Sequence, residues 1–163
     1  MGAPGSETLS VDGEANTNPA VRTRQSSSLF TTAALLSLIG LADSIYLTVE
    51  HLAGRAVRCT ITSGCEEVLS SAYATVAGLP LAGIGAIGYF ICFSLAILAV
   101  FGNRAAANAM LYLVGLMFAV SVYLFVLQAF VLQAFCQFCL LSGAVTLLLS
   151  LVVALERFYV RRG

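Results

Sequence analysis

Four long apolar stretches divide the chain. They run from Leu29 to about Val49, from Leu79 to about Phe101, from Ala107 to about Val131 and from Phe135 to about Leu155. A helix needs about 20 residues to cross the roughly 30 Å of hydrocarbon in a bilayer. Each stretch therefore predicts one spanning helix. The expected fold is an all-α integral membrane protein, a four-transmembrane-helix bundle over residues 29–157. Only the first connection is long. The second is the short polar turn Gly102-Asn103-Arg104, and the third is a tight reversal around Leu132-Gln133-Ala134.

The flanks are of different material. Residues 1–28 are rich in Gly, Ser, Thr, Asn and Pro, with few large apolar side chains. Such a segment buries too little surface to offset the entropy of ordering, and it is expected to be a disordered tail. The apolar stretch behind it begins too late for a secretory leader. Residues 158–163 form a second, short tail. Within the long connection, after Cys65, Glu66-Glu67-Val68-Leu69-Ser70-Ser71-Ala72-Tyr73 places acidic residues ahead of an apolar pair, which predicts a short helix lying at the membrane surface. Gly83, Gly85 and Gly88 make a small-residue face that lets helices approach closely in lipid. No strand precedes them, so they are not a dinucleotide fingerprint.

Composition agrees with the bilayer as solvent. Hydrophobic residues make up 60% of the chain and charged residues 10%, against about a quarter charged in ordinary soluble domains. Net charge is zero, and the eight basic residues, all Arg, form no run with interleaved aromatics. A nucleic-acid surface is unsupported. Four crossings put both termini on one side, together with Arg22, Arg24, Arg104, Arg157, Arg161 and Arg162. Only Arg55 and Arg58 fall on the other side. This bias predicts cytoplasmic termini and an outward-facing first connection.

That orientation gathers four of the five cysteines at the oxidising face of the membrane. Cys59 and Cys65 sit in the long connection, and Cys136 and Cys139 sit at the start of the fourth helix. Cys136-Gln137-Phe138-Cys139 is a C-x-x-C, which can close a small disulfide ring. A helix N-terminus there favours the thiolate, the species that attacks disulfides. Alone, a C-x-x-C is weak evidence, because it is also half of many zinc sites. A zinc site built from all four cysteines is a competing reading. So is a plain stabilising disulfide between Cys59 and Cys65. Beside a C-x-x-C at the same depth, however, the Thr-, Ser- and Gly-rich segment from Cys59 to Cys65 reads better as a mobile redox shuttle. Cys92, in the middle of the second helix, reads as a small apolar packing residue. Cys139 lies one turn deeper than Cys136, about 4.5 Å along the axis, and so nearer the hydrocarbon.

Asp43 is the one carboxylate inside an expected span, and a charge in hydrocarbon is costly enough to make it a functional candidate. It also lies close enough to the helix end for a simple interfacial role. His51 reads as a solvated interfacial residue. A small membrane carrier with structural disulfides would need a polar path, but Asp43, Gln128 and Gln133 do not form a column.

Taken together, Leu41-Ala-Asp-Ser-Ile-Tyr-Leu-Thr48, Ser63-Gly-Cys65-Glu-Glu-Val-Leu-Ser-Ser71, Gly78-Leu-Pro-Leu-Ala82 and Cys136-Gln-Phe-Cys139 resemble the vitamin K epoxide reductase family in its bacterial branch, over about residues 30 to 155. The resemblance implies a four-helix bundle around a quinone of the menaquinone or ubiquinone type. It implies that Cys136/Cys139 is the redox centre, with Cys139 nearest the quinone. Cys136 would exchange with the loop pair through Cys59, leaving Cys65 toward an outside partner. Ser71 matches a serine or threonine position near the site, and Asp43 is a further expected quinone-contacting residue. Animal members carry a tyrosine four residues after the C-x-x-C where this chain has Gly143. The departure favours plain quinone reduction over epoxide reduction. Some bacterial members carry a fused thioredoxin-like domain after the fourth helix. Here such a thiol oxidase is expected as a separate extracytoplasmic partner. The implied place is the bacterial cytoplasmic membrane, in contact with lipid and with the redox site at its outer face.

Overall fold

A computed structural model describes residues 19–162 apart from 56, 58, 60–63 and 77. Among the described residues four helices are long and apolar enough to cross a membrane, with spans at Ser26–Leu52, Leu81–Val100, Arg104–Leu132 and Gln137–Phe158. They belong to α1 (Pro19–Leu52), α3 (Leu81–Val100), α4 (Arg104–Val126) continued by a wider π-helical turn (Leu127–Leu132), and α5 (Gln137–Arg162). Between α1 and α3 lie α2 (Cys65–Ser70), a 3-10 turn at Ala72–Ala74, and two short strands, β1 (Thr75–Val76) and β2 (Leu79–Pro80). The expected all-α membrane bundle with a short helix in its first connection is what forms.

The flanks depart from expectation. α1 starts at Pro19, so residues 19–28 of the expected tail are helical. A helix already nucleated by an apolar span extends at little further cost, even through polar residues. Residues 1–18 lie outside the described residues. At the other end α5 runs to Arg162, so residues 158–162 are helical as well.

Water cannot drive helices together inside lipid; close packing and hydrogen bonds must. α1 lies against α3 and α5, and α4 against the same two helices. The core between them is made of small and medium side chains: Ala33, Ala34, Cys92, Ala96, Met110, Val114, Val145 and Leu149 are all buried. Cys92 is fully buried and its thiol points to the Met117 sulfur at 3.7 Å, in keeping with a packing role. Gly85 faces Ser44 of α1, whereas Gly88 faces Met117 of α4. The closest approach is at Gly40, where an added Cβ would run into the ring of Tyr89. That ring cannot swing away freely. Its hydroxyl lies 2.8 Å from both Ser142 Oγ and Thr146 Oγ1 and donates to the Ser142 carbonyl. Tyr89 thus ties α3 to α5 while filling the notch in α1. At the end of the bundle that carries both termini, Ser26 Oγ donates to Glu156 Oε1, and Arg157 donates to Asn108 Oδ1. Large apolar side chains such as Leu35, Ile87, Tyr112, Leu116 and Phe130 point outward, as a surface bathed in lipid requires.

At the opposite end, β1 and β2 pair antiparallel, Thr75 with Pro80 and Val76 with Leu79. Gly78 takes φ +82° in the turn between them, a conformation open to glycine at little cost. α3 begins directly after Pro80.

The Gly40–Tyr89 contact generates a prediction. Gly40→Ala should destabilise the protein by about 1–3 kcal/mol through overpacking, read as thermal unfolding in detergent. The loss should shrink in a Tyr89→Ala background. An equal loss in both backgrounds would show that the ring is not the obstacle.

Candidate functional site

The reversal between α4 and α5 positions the cysteines of the C-x-x-C. After Leu132 the chain passes through Gln133, which adopts left-handed backbone angles (φ 50°). Gln128, one turn back, holds the segment together. Its carbonyl accepts from the N–H groups of Gln133 and Ala134, and its side-chain Oε1 accepts from the Cys136 N–H at 3.0 Å. The wider π turn places this side chain toward the chain that follows it. The two residues between the cysteines start α5, and Phe138 packs against Tyr46 of α1 with ring centroids 5.4 Å apart. Phe135 packs likewise against Phe125 of α4.

The first connection is laid on top of this turn. Cys59 and Cys65 are joined in a disulfide, while Cys136 and Cys139 are free thiols. All four cysteines belong to one apolar cluster with Leu47, Val57, Val68 and Ala134. The approach is close: a Cβ added at Gly64 would sit 2.8 Å from the Phe135 backbone nitrogen and 2.9 Å from the Ala134 side chain. Gly64 therefore lets the backbone beside Cys65 rest on the residue before Cys136. Among the described residues no group of three or more His, Cys, Asp or Glu is placed to hold a metal ion.

The two free thiols differ in surroundings. Cys136 is fully buried among the loop residues. A hydrogen bond from the Cys139 thiol, helped by the backbone N–H groups of Cys139 and Phe138, lowers its pKa to about 7 against the opposing effect of burial. Cys139 instead lies on the wall of a cavity of about 540 Å³, which none of the other cysteines lines. Apolar side chains from α1, α3, α4 and α5 form most of that wall, and Val68, Leu69 and Ser71 close it from the first connection. The size is that of a small-molecule site. Ser71 reaches the wall with its hydroxyl donating to the Val68 carbonyl at 2.7 Å. Asp43 is buried on the same wall. His51, read from sequence as a solvated residue, is half-buried and lines the cavity too.

The model of the vitamin K epoxide reductase family matches residues 31–154. The chain belongs to the vitamin K epoxide reductase family. Membership makes it a membrane thiol-disulfide oxidoreductase, and the arrangement just described is the part of this vitamin K epoxide reductase homolog able to carry such chemistry. Four sulfurs in one cluster permit exchange between a loop pair and a helix pair. Gln128 was missed as a member of the site by sequence reasoning. It reads there as an isolated polar residue in an apolar stretch, and only its offset of eight residues from Cys136 links the two.

The asymmetry of the thiols is testable by titration. Thiolate absorbance of Cys136 in the protein with its helix pair reduced should rise through a midpoint of about 7. Below that pH the sulfur is protonated and exchange slows. In Cys139→Ala, which removes the main donor, the midpoint should move up toward the ordinary thiol value. A midpoint unchanged by that substitution would remove the hydrogen bond as the cause.

Proposed function

We propose that this protein passes electrons from a separate thioredoxin-like extracytoplasmic partner to a membrane quinone, and so supports disulfide formation outside the cytoplasm. The observation that carries the reading is the division of the four cysteines. They share one cluster, yet only Cys139 opens onto the apolar cavity.

In this reading the partner's thiolate attacks the Cys59–Cys65 disulfide at Cys65. The partner leaves oxidised and the loop pair is left reduced. Cys59 then attacks Cys136 of a Cys136–Cys139 disulfide, forming a mixed disulfide that Cys65 resolves. The loop bond is restored and the helix pair is reduced. Oxidation of Cys136 and Cys139 releases two electrons and two protons to the quinone, of menaquinone or ubiquinone type. The fit of such a group rests on the cavity. Its volume suits a ring with part of an apolar tail, and its walls, apart from a few polar groups such as Asp43, Ser71 and Gln128, are those of a hydrocarbon-soluble ligand's site. Ser71 and Asp43 would stand beside the bound ring. The six-to-two division of arginines supports cytoplasmic termini in a bacterial cytoplasmic membrane, with the cysteines at its outer face.

Two experiments test this. In Cys139→Ala a disulfide between Cys136 and Cys59 should accumulate, seen by mass spectrometry of non-reduced peptides, and quinone reduction should be lost. Recovery of Cys136 linked to neither loop cysteine, or undiminished quinone reduction, would sink the relay. For orientation, reporter fusions at Gly102 and Gly163 should both read cytoplasmic. A fusion that reads outside would put the cysteines on the wrong face.

A further inference from the structure

Among the described residues Asp43 has no hydrogen-bond or ion-pair partner. The residue is 8% exposed, and its Oδ2 is buried without a hydrogen bond. Buried carboxyl groups are ordinarily bonded, because an unpaired one costs several kcal/mol in an apolar setting. Two hydroxyls on the same cavity wall are committed elsewhere: Tyr89 to Ser142 and Thr146, and Ser71 to the Val68 carbonyl. Among the described residues Asp43 is the only carboxylate on the wall of the cavity that Cys139 also lines. It lies near enough to the helix pair that a negative charge on it opposes ionisation of Cys136. On α1 it stands below Leu47 and His51, at intervals of four residues, and all three line the cavity. One oxygen of a carboxyl on the cavity wall is therefore left without a hydrogen bond.

Resting on the function proposed above, we infer that Asp43 is the acid that protonates the bound quinone and takes up the proton leaving Cys139. A quinone oxygen can only accept a hydrogen bond, so it needs a donor from the wall, and a protonated carboxyl is one. The exchange balances. The Cys136–Cys139 S–S bond forms as both sulfurs lose their hydrogens, and two electrons pass to the quinone. Asp43 gives one proton to a carbonyl oxygen and regains one from the Cys139 thiol. The second proton, from Cys136, goes to the other oxygen, and the carboxyl ends as it began.

The test uses the full chain and a short-tailed ubiquinone. Infrared difference spectra on adding the quinone to the oxidised protein should show a shift of one protonated-carboxyl C=O stretch, absent in Asp43→Asn. Asparagine keeps a donor, so quinone binding should stay within a few-fold of wild type. Quinol formation in a single turnover from pre-reduced protein should slow about 100-fold, the usual worth of a general acid, and Asp43→Glu should recover most of it. Bound quinone with no carboxyl band change in the wild-type protein would overturn the inference, even if Asp43→Asn failed to fold. So would Asp43→Asn forming quinol at the wild-type rate. If the wild-type protein neither binds nor reduces quinone, it is the underlying function that falls.

Discussion

Between Leu132 and Gln137 two long apolar helices are joined by a segment with no regular structure, and its backbone N–H groups must find partners close by. Gln128 supplies them. Its carbonyl takes two N–H groups and its side chain takes the N–H of Cys136. Because the residue is itself buried in the π turn, the reversal is fixed from inside the bundle. The rest of the site depends on this. The turn sets where α5 begins and therefore where Cys136 meets the loop and Cys139 meets the cavity. It also offers Phe135 as the surface on which the first connection rests.

A second consequence of the packing is a difference in character between the two ends of the bundle. Toward the termini, and through its middle, the helices are held by small side chains and by the Tyr89 hydroxyl, which ties α3 to α5. At the opposite end Val68 and Leu69 of α2, Ser71, and Pro80 of β2 lie on the cavity wall. The proposed relay would use this division, with one sulfur on the wall of the cavity and the loop sulfurs beside the other.

Much of this was legible in the sequence. Apolar runs of membrane-spanning length announce themselves, because lipid demands continuous hydrophobicity and a closed set of backbone hydrogen bonds. Four cysteines at one end followed from counting crossings. The short helix after Cys65 was marked by Glu66 and Glu67. What could not be read was of two kinds. The helical start at Pro19 depends on extension from a span already formed, which polar composition conceals. The roles of Gln128, Gly64 and Tyr89 arise from contacts between segments. Gln128 sits in an apolar stretch, and nothing local shows that a π turn aims it at Cys136. Gly64 has an ordinary negative φ, so its need for glycine is set by Phe135, 71 residues away in the chain.

Gly64 bears on how freely sequences of this kind can drift. Lipid-facing positions can trade one apolar residue for another with little effect, and polar connecting loops usually tolerate almost anything. Gly64 is in such a loop and has no such latitude, because even a methyl group would act as a wedge between the loop and the reversal. In the proposed relay the exchanging sulfurs must come into direct contact, so a wedge of that thickness would lengthen the gap between them. The place where this protein can least afford change is thus a residue with no side chain, in a segment where composition alone would suggest the greatest freedom.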